Sequence, residues 1–177
     1  LGKNKKNKMP KWARDLLMQD AQMEVAEALT RRPGRGTRDL IADNIWVGDL
    51  IAARTRYNMP NWTVVDVREG VATPKAANVA HCPILLDDED DEFALPYASP
   101  TRLEAACAAI DAALADGKQV LVHCWQGLER SPLTLVYWLT TRQGMTVPQA
   151  YAYVKRRRAV YDRRAWLRSH DRTGYAS

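Results

Sequence analysis

The sequence predicts an α/β protein with a central, mostly parallel sheet flanked by helices. Two runs supply strands for that expectation: W-T-V-V-D-V at 62–67 and V-L-V at 120–122 are apolar and β-branched, with the length of buried strands. Their order is the third observation. A strand, an acidic loop, a helical stretch and a second strand follow one another, the alternation that sets helices on both faces of a sheet.

Taken in order, residues 1–8 are polar and lysine-rich and are expected to be disordered. From 10 to 29 the apolar positions Trp12, Leu16, Leu17, Met23, Val25, Ala26 and Leu29 recur mostly at helical spacing, predicting an amphipathic helix that packs on the core or contacts a partner. R-R-P-G-R-G-T-R at 31–38 reads as a linker by its glycines and proline. The organisation expected is therefore a tail, helix and linker over 1–38 and the α/β domain over 39–177. A short strand at 44–48 and a helix over 49–57 capped by Asp49 come next, before the strand at 62–67. A-H-C-P-I-L-L at 80–86 predicts another strand, put at an edge or a bulge by Pro83.

Residues 101–115 carry Leu103, Ala106, Cys107, Ile110, Ala113 and Leu114 along one side of a helix that stops at Asp116-Gly117. Residues 133–142 read as a buried helix. A last helix over 147–158 has Pro148 in its first turn, Ala150, Tyr151 and Val154 inward, and cations at its end, where they suit the helix dipole. Arg156, Arg157, Arg163 and Arg164 read either as a basic face or as solvated helix surface.

The chain of 177 residues holds 26 basic and 21 acidic side chains, a net charge of +5, and 46% hydrophobic residues, ample for a core. The signs are segregated: basic residues gather in 3–8, 31–38 and 155–172, and carboxylates in 87–92. Such basic ends are ordinarily solvated surface, so neither nucleic acid nor a membrane is an expected partner. No apolar run has the length of a membrane span and no signal-peptide pattern opens the chain, which makes a soluble cytoplasmic protein the expectation. Three cysteines, Cys82, Cys107 and Cys124, without close pairs argue against a disulfide framework or a zinc site and fit a reducing compartment. Cys82 and Cys107 read as core residues.

The stretch 120–132, V-L-V-H-C-W-Q-G-L-E-R-S-P, organises the rest. It reads as a strand, a short loop and the start of a helix, with Gly127 allowing the turn and Pro132 placed at the first helical position. Consecutive amides in such a loop form a concave nest, and a helix N-terminus adds partial positive charge, so the chain builds a cup for an anion the size of phosphate. Cys124 lies at its rim, where a thiol is held as thiolate, the nucleophilic form. Arg130 offers a planar fork for two phosphoryl oxygens.

His123-Cys124, Gly127 and Arg130-Ser131 reproduce H-C-x-x-G-x-x-R-S, which resembles the signature loop of the cysteine-dependent protein tyrosine phosphatases. The following Pro132 and the compact size look most like the dual-specificity branch, and I-W-V-G-D-L-I-A-A at 45–53 resembles that branch's opening strand and helix. The resemblance covers about 43–166. It implies a protein tyrosine phosphatase-like fold and hydrolysis of phosphotyrosine, with phosphoserine and phosphothreonine, in proteins through a phosphocysteine. Cys124 would be the nucleophile. Arg130 and the backbone amides of Trp125, Gln126, Gly127, Leu128, Glu129 and Arg130 would hold the phosphoryl oxygens, Ser131 would stabilise the departing thiolate, and His123 would orient the loop from beneath. No cofactor or metal is needed, and no ligand cluster is visible.

The leaving oxygen needs a proton, and a positioned carboxylic acid contributes about 10²- to 10⁴-fold. In the resembled family the acid is an Asp after a strand, some thirty residues before the cysteine; the spacing from Ile84 points to Asp88, with Asp87 the alternative. Six carboxylates at 87–92 would repel polyanions such as inositol polyphosphates or RNA triphosphates and tolerate peptides, so a phosphorylated protein is the expected substrate. Glu129 is an unusual charge for the loop and is expected to face away from the cup. Trp125 reads as pocket wall or as a packed indole. The rival readings are a phosphatase of a phosphoinositide, an RNA 5′ phosphate or a phosphoglycan, and a phospho-binding module without turnover.

Overall fold

The computed structural model describes residues 11–12, 33–87 and 96–167. The expected disorder at 1–8 and the acidic positions 88–92 lie outside them, as does the expected helix over 10–29 apart from Lys11 and Trp12. The elements run β1 (Arg38–Ala42), β2 (Ile45–Gly48), α1 (Leu50–Arg54), β3 (Trp62–Asp66), β4 (Val79–His81), β5 (Leu86–Asp87), β6 (Tyr97–Ala98), α2 (Pro100–Ala115), β7 (Gln119–His123), α3 (Arg130–Gln143) and α4 (Val147–Arg157), then a 3-10 turn (Arg164–Trp166). Five strands form one sheet in the order β1-β2-β7-β3-β4, in which only the β1–β2 pair is antiparallel. The fold is thus the expected α/β architecture.

The apolar strand β7 takes the central place because both its faces are covered. Val120 and Val122 join Ile45, Val47 and Val65 against Leu103 and Ile110 of α2, Leu133 and Val136 of α3, and Tyr151 and Val154 of α4, all buried. On the opposite face Leu121 and Val64 meet Ala52 and Ala53 of the short α1, with Trp46, Tyr57, Trp62 and Val79 packed partly buried against them. Parallel register sets Gly48, His123 and Asp66 in one row at the carboxyl edge, with Cys124 the next residue along the central strand. Sites of α/β sheets commonly form at that edge.

The caps match the residues that supply them. Asp49 accepts the Ala52 amide at 2.8 Å and so starts α1, while Thr146 and Gln149 form a reciprocal capping box at the start of α4. Gly117 and Gly144, both with φ near +70°, end α2 and α3.

Several expectations need correction. Arg38–Ala42, which begins at the last residue of the expected linker, is an edge strand joined to β2 by a tight turn with Asn44 at φ 60°. The strand expected over 80–86 is Val79–His81 alone: Pro83 lacks the N–H a ladder needs, and Leu86–Asp87 pairs instead with Tyr97–Ala98 in a separate ribbon. The helix expected over 49–57 stops at Arg54. Cys107 is buried as expected, but Cys82 is only half-buried against the core edge.

Candidate active site

Between β7 and α3 the chain turns through residues 124–129 with Gly127 at φ 69°. A Cβ added there would lie 2.5 Å from the Gly48 carbonyl oxygen and 2.8 Å from an Arg158 guanidinium nitrogen, so glycine is required both by conformation and by space. Helix α3 begins at Arg130, two residues before the predicted start. Pro132 therefore sits third in the helix, where its missing N–H is still one of those without an intrahelical partner. Glu129 precedes the helix without capping it. Its carboxylate instead accepts from Arg163 Nε at 3.4 Å, outside the loop, which leaves the first amides of the helix for an anion.

Those amides converge on Cys124, which is 6% exposed. Burial alone would push the thiol up. The Ser131 hydroxyl, 3.2 Å from Sγ, and the amides of Ser131, Glu129 and Gly127 outweigh burial and hold the thiol below its ordinary range. A sulfur surrounded by four donors stays thiolate, the nucleophilic form, to lower pH than an ordinary cysteine. The same donors suit the oxygens of a phosphoryl group seated above it.

The His123 ring is buried, and Nδ1 donates to the Cys124 carbonyl at 2.9 Å. Burial keeps the imidazole neutral by lowering its pKa, against the pull of Asp66, whose carboxylate lies 3.8 Å from Nε2. Asp66 is fully buried but bound by Arg68, whose Nε donates at 3.0 Å and whose Nη2 donates at 2.7 Å. Burial opposes its charge, and the Arg68 contacts more than offset that, so the carboxyl is held below its usual range. The Arg68 guanidinium in turn lies 4.8 Å from the centroid of Trp125. Trp125 is 54% exposed; its indole is both a packed ring and a wall.

Arg130 reaches over the cup from the start of α3. Its Nε donates to the Ile84 carbonyl at 3.0 Å and one Nη donates to Glu69 at 2.8 Å, fixing the plane of the guanidinium and leaving the other Nη for a ligand. Cys124, Trp125, Gln126, Leu128, Glu129 and Arg130 line a cavity of about 250 Å³. Thus the structure brings the predicted nucleophile, arginine, serine and loop positions together around one space. Asp87 is half-buried at the end of β5 and does not line that cavity, and Asp88 lies outside the described residues.

Three supports were not singled out from the sequence. Arg158, predicted as a cation of the helix end, is buried and donates to the Gly127 and Gln126 carbonyls at 2.9 and 3.0 Å while pairing with Asp39 at 3.0 Å. Glu69 follows β3 with no local signal beyond an acid before a glycine. Asp66 and Arg68 did leave one: a carboxylate inside a buried β-branched run needs a partner, and the residue two further along is a cation.

Comparison with known proteins yields a consistent set of likenesses. The family described as dual specificity phosphatase, catalytic domain, matches residues 62–169, well over half of the chain. The chain is 33% identical over 96 residues to dual specificity phosphatase 28 of Mus musculus, covering 54% of this chain and 56% of that protein. It is 27% identical over 125 residues to dual specificity protein phosphatase 1 of Arabidopsis thaliana, covering 68% of this chain and 60% of that one. The chain therefore spans a little over half the length of these curated relatives. Among solved structures, human DUSP28 superposes with a TM-score of 0.58 at 22% identity, over 82% of this chain and 96% of that one. The human tyrosine phosphatase-like serine/threonine/tyrosine-interacting protein gives 0.59 at 20% identity, over 80% and 96%. At these identities the likeness is one of fold.

Proposed function

This chain belongs to the dual specificity phosphatases, and we propose that it hydrolyses phosphotyrosine, and phosphoserine and phosphothreonine with it, in protein substrates through a phosphocysteine. The observation that carries the reading is the convergence of the Ser131 hydroxyl and the loop amides on Cys124 Sγ, with Arg130 held above the same cavity. A group bound there finds a thiolate beneath it and donors around it.

In the first step the Cys124 thiolate attacks phosphorus in line with the ester bond. The P–S bond forms as the P–O bond breaks, and the departing oxygen takes a proton from Asp88, or from Asp87 beside it. Arg130 and the amides hold the three equatorial oxygens while charge spreads over them. In the second step water, deprotonated by the same carboxylate, attacks phosphorus and releases phosphate. Ser131 donates to the sulfur that leaves, which lowers the barrier to breaking P–S. His123, neutral and donating from Nδ1 to the Cys124 carbonyl, steadies the loop and takes no part in proton transfer.

Substrate class follows from charge. The acidic run 87–92 and Glu129 repel densely anionic ligands, and Glu129 is drawn outward by Arg163. The test is phosphate release, in excess chelator, from matched peptides bearing phosphotyrosine, phosphothreonine or phosphoserine and from a phosphoinositide, for the wild type and Cys124→Ser. Turnover of the peptides by the wild type alone is the expected result. Release from the lipid only would overturn the substrate class, and equal activity in Cys124→Ser would overturn the mechanism.

A further inference from the structure

A second cavity, of about 500 Å³, adjoins the phosphate cup and shares Trp125, Gln126 and Leu128 with it. Its other walls come from Pro33 and Arg35 ahead of β1, Ile51 of α1 and Tyr161 beyond α4. Six large apolar or aromatic side chains are exposed among the described residues, and three of them, Ile51, Trp125 and Tyr161, line this one space. Concentrated exposure of that kind marks a binding surface, whereas scattered exposure does not.

The walls are fixed before anything binds. The Tyr161 amide donates to the Leu128 carbonyl at 2.8 Å, and the Leu50 amide donates to the Trp125 carbonyl at 3.0 Å. Asp49 accepts from both Ala52 and Gly36, tying α1 to the segment that carries Arg35. Arg68, clamped by Asp66, backs the Trp125 indole. A preorganised wall loses little freedom on binding, so contact made against it counts toward affinity.

We propose that this cavity is a specificity subsite that seats the bulky apolar side chain of the residue next to the phosphorylated one in the substrate. The inference rests on reading the cup as the seat of a phosphorylated side chain. Continuity decides the occupant's position, since the two spaces share three consecutive loop positions apart from Gly127. Chemistry decides its type. The Asp49 carboxylate is buried and engaged, which leaves Arg35 as the exposed charge of the lining, so a lysine or arginine is disfavoured there. A second phosphate would find Arg35 as its one cation in the lining, itself exposed to solvent, and no buried cation beside it. Arg158, the cation behind the loop, is spent on Asp39, Thr37 and two loop carbonyls. Beside Arg35, Pro33 and Gln126, the space is walled by an isoleucine, a leucine and two aromatic rings.

The test uses the full chain and peptides carrying a non-hydrolysable difluoromethylphosphonate in place of phosphotyrosine, identical except for Leu, Ala, Lys or a second phosphonate residue on one side or the other. Titration calorimetry is expected to show Leu binding about tenfold tighter than Ala at one of the two flanking positions, the gain of burying a few methylenes against a half-open wall, and Lys binding more weakly than Ala. Ile51→Ser and Tyr161→Ser are expected to reduce the Leu advantage to less than about threefold while phenyl phosphate turnover stays unchanged. Equal affinities for Leu and Ala on both sides, a Leu advantage that survives in both variants, or a doubly phosphonylated peptide that outbinds Leu would each overturn the subsite. Failure of the wild type to hydrolyse phenyl phosphate would instead sink the phosphatase reading, and the Leu-to-Ala ratio would still decide the subsite.

Discussion

The phosphate cup and the cavity beside it touch through Trp125, Gln126 and Leu128, yet they are built from different materials. The cup is main chain: three amides and one hydroxyl aimed at Cys124, a glycine that no other residue can replace without collision, and one arginine. Its neighbour is side chain: a proline, an isoleucine, a tyrosine and an indole brought from four separated segments. Main-chain donors give a site that recognises an anion and is indifferent to what the anion is attached to. Side chains give a surface that distinguishes attachments and is indifferent to the anion.

Changes in the cup should therefore affect every substrate alike. The largest effect is expected of Gly127→Ala, whose Cβ would collide with the Gly48 carbonyl and the Arg158 guanidinium while straining φ. Turnover of phenyl phosphate and of phosphopeptides should fall together by about 10²-fold or more, because displacing a catalytic loop by an ångström costs that much. A peptide-selective loss would show that the cup, too, reads attachments. Arg130→Lys keeps the charge and loses the planar fork, and kcat should drop by roughly 10²-fold on both substrates in steady-state kinetics. Arg158→Met removes two donors from loop carbonyls without touching the cavity. Urea unfolding should show a loss of about 2–3 kcal/mol, with the drop in kcat again common to small and large substrates.

The smallest change sharpens the electrostatic side of the comparison. Donors hold the Cys124 thiol below its ordinary range, so the thiolate persists as pH falls and is lost only below that depressed value. Ser131→Ala removes one donor and moves the thiol upward. Alkylation by iodoacetamide should then be about tenfold slower below neutral pH and should converge with the wild type in alkaline solution, where both are thiolate. An unchanged profile would mean the amides alone hold the anion.

The two regions also differ in how far the sequence discloses them. A loop made of backbone needs its few special residues at fixed spacing, so Cys124, Gly127, Arg130 and Ser131 can be placed in the cup from the chain alone. A cavity assembled from Pro33, Ile51 and Tyr161 leaves no spacing to find, because nothing local links them. The same holds for supports. Arg158 looks like any cation at a helix end until the fold brings the Gly127 carbonyl to it across 31 residues. Strand β1 was legible in principle, since Asp43-Asn44 between two short apolar runs is a hairpin signal, but its arginine start reads as linker. Pro83 signalled trouble for a strand over 80–86, and the ladder breaks before it.

Gly48 and Gly127 face each other as bare backbone, with Arg158 filling the space behind. For a lineage accumulating substitutions this contact is a closed door: a side chain at Gly127 collides with the Gly48 carbonyl and the Arg158 guanidinium unless both move at the same moment. Positions 35, 51 and 161 carry no such mutual veto and can vary one at a time. On the proposed reading, descendants of this chain can change what they bind beside the cup long before they can change what the cup itself does.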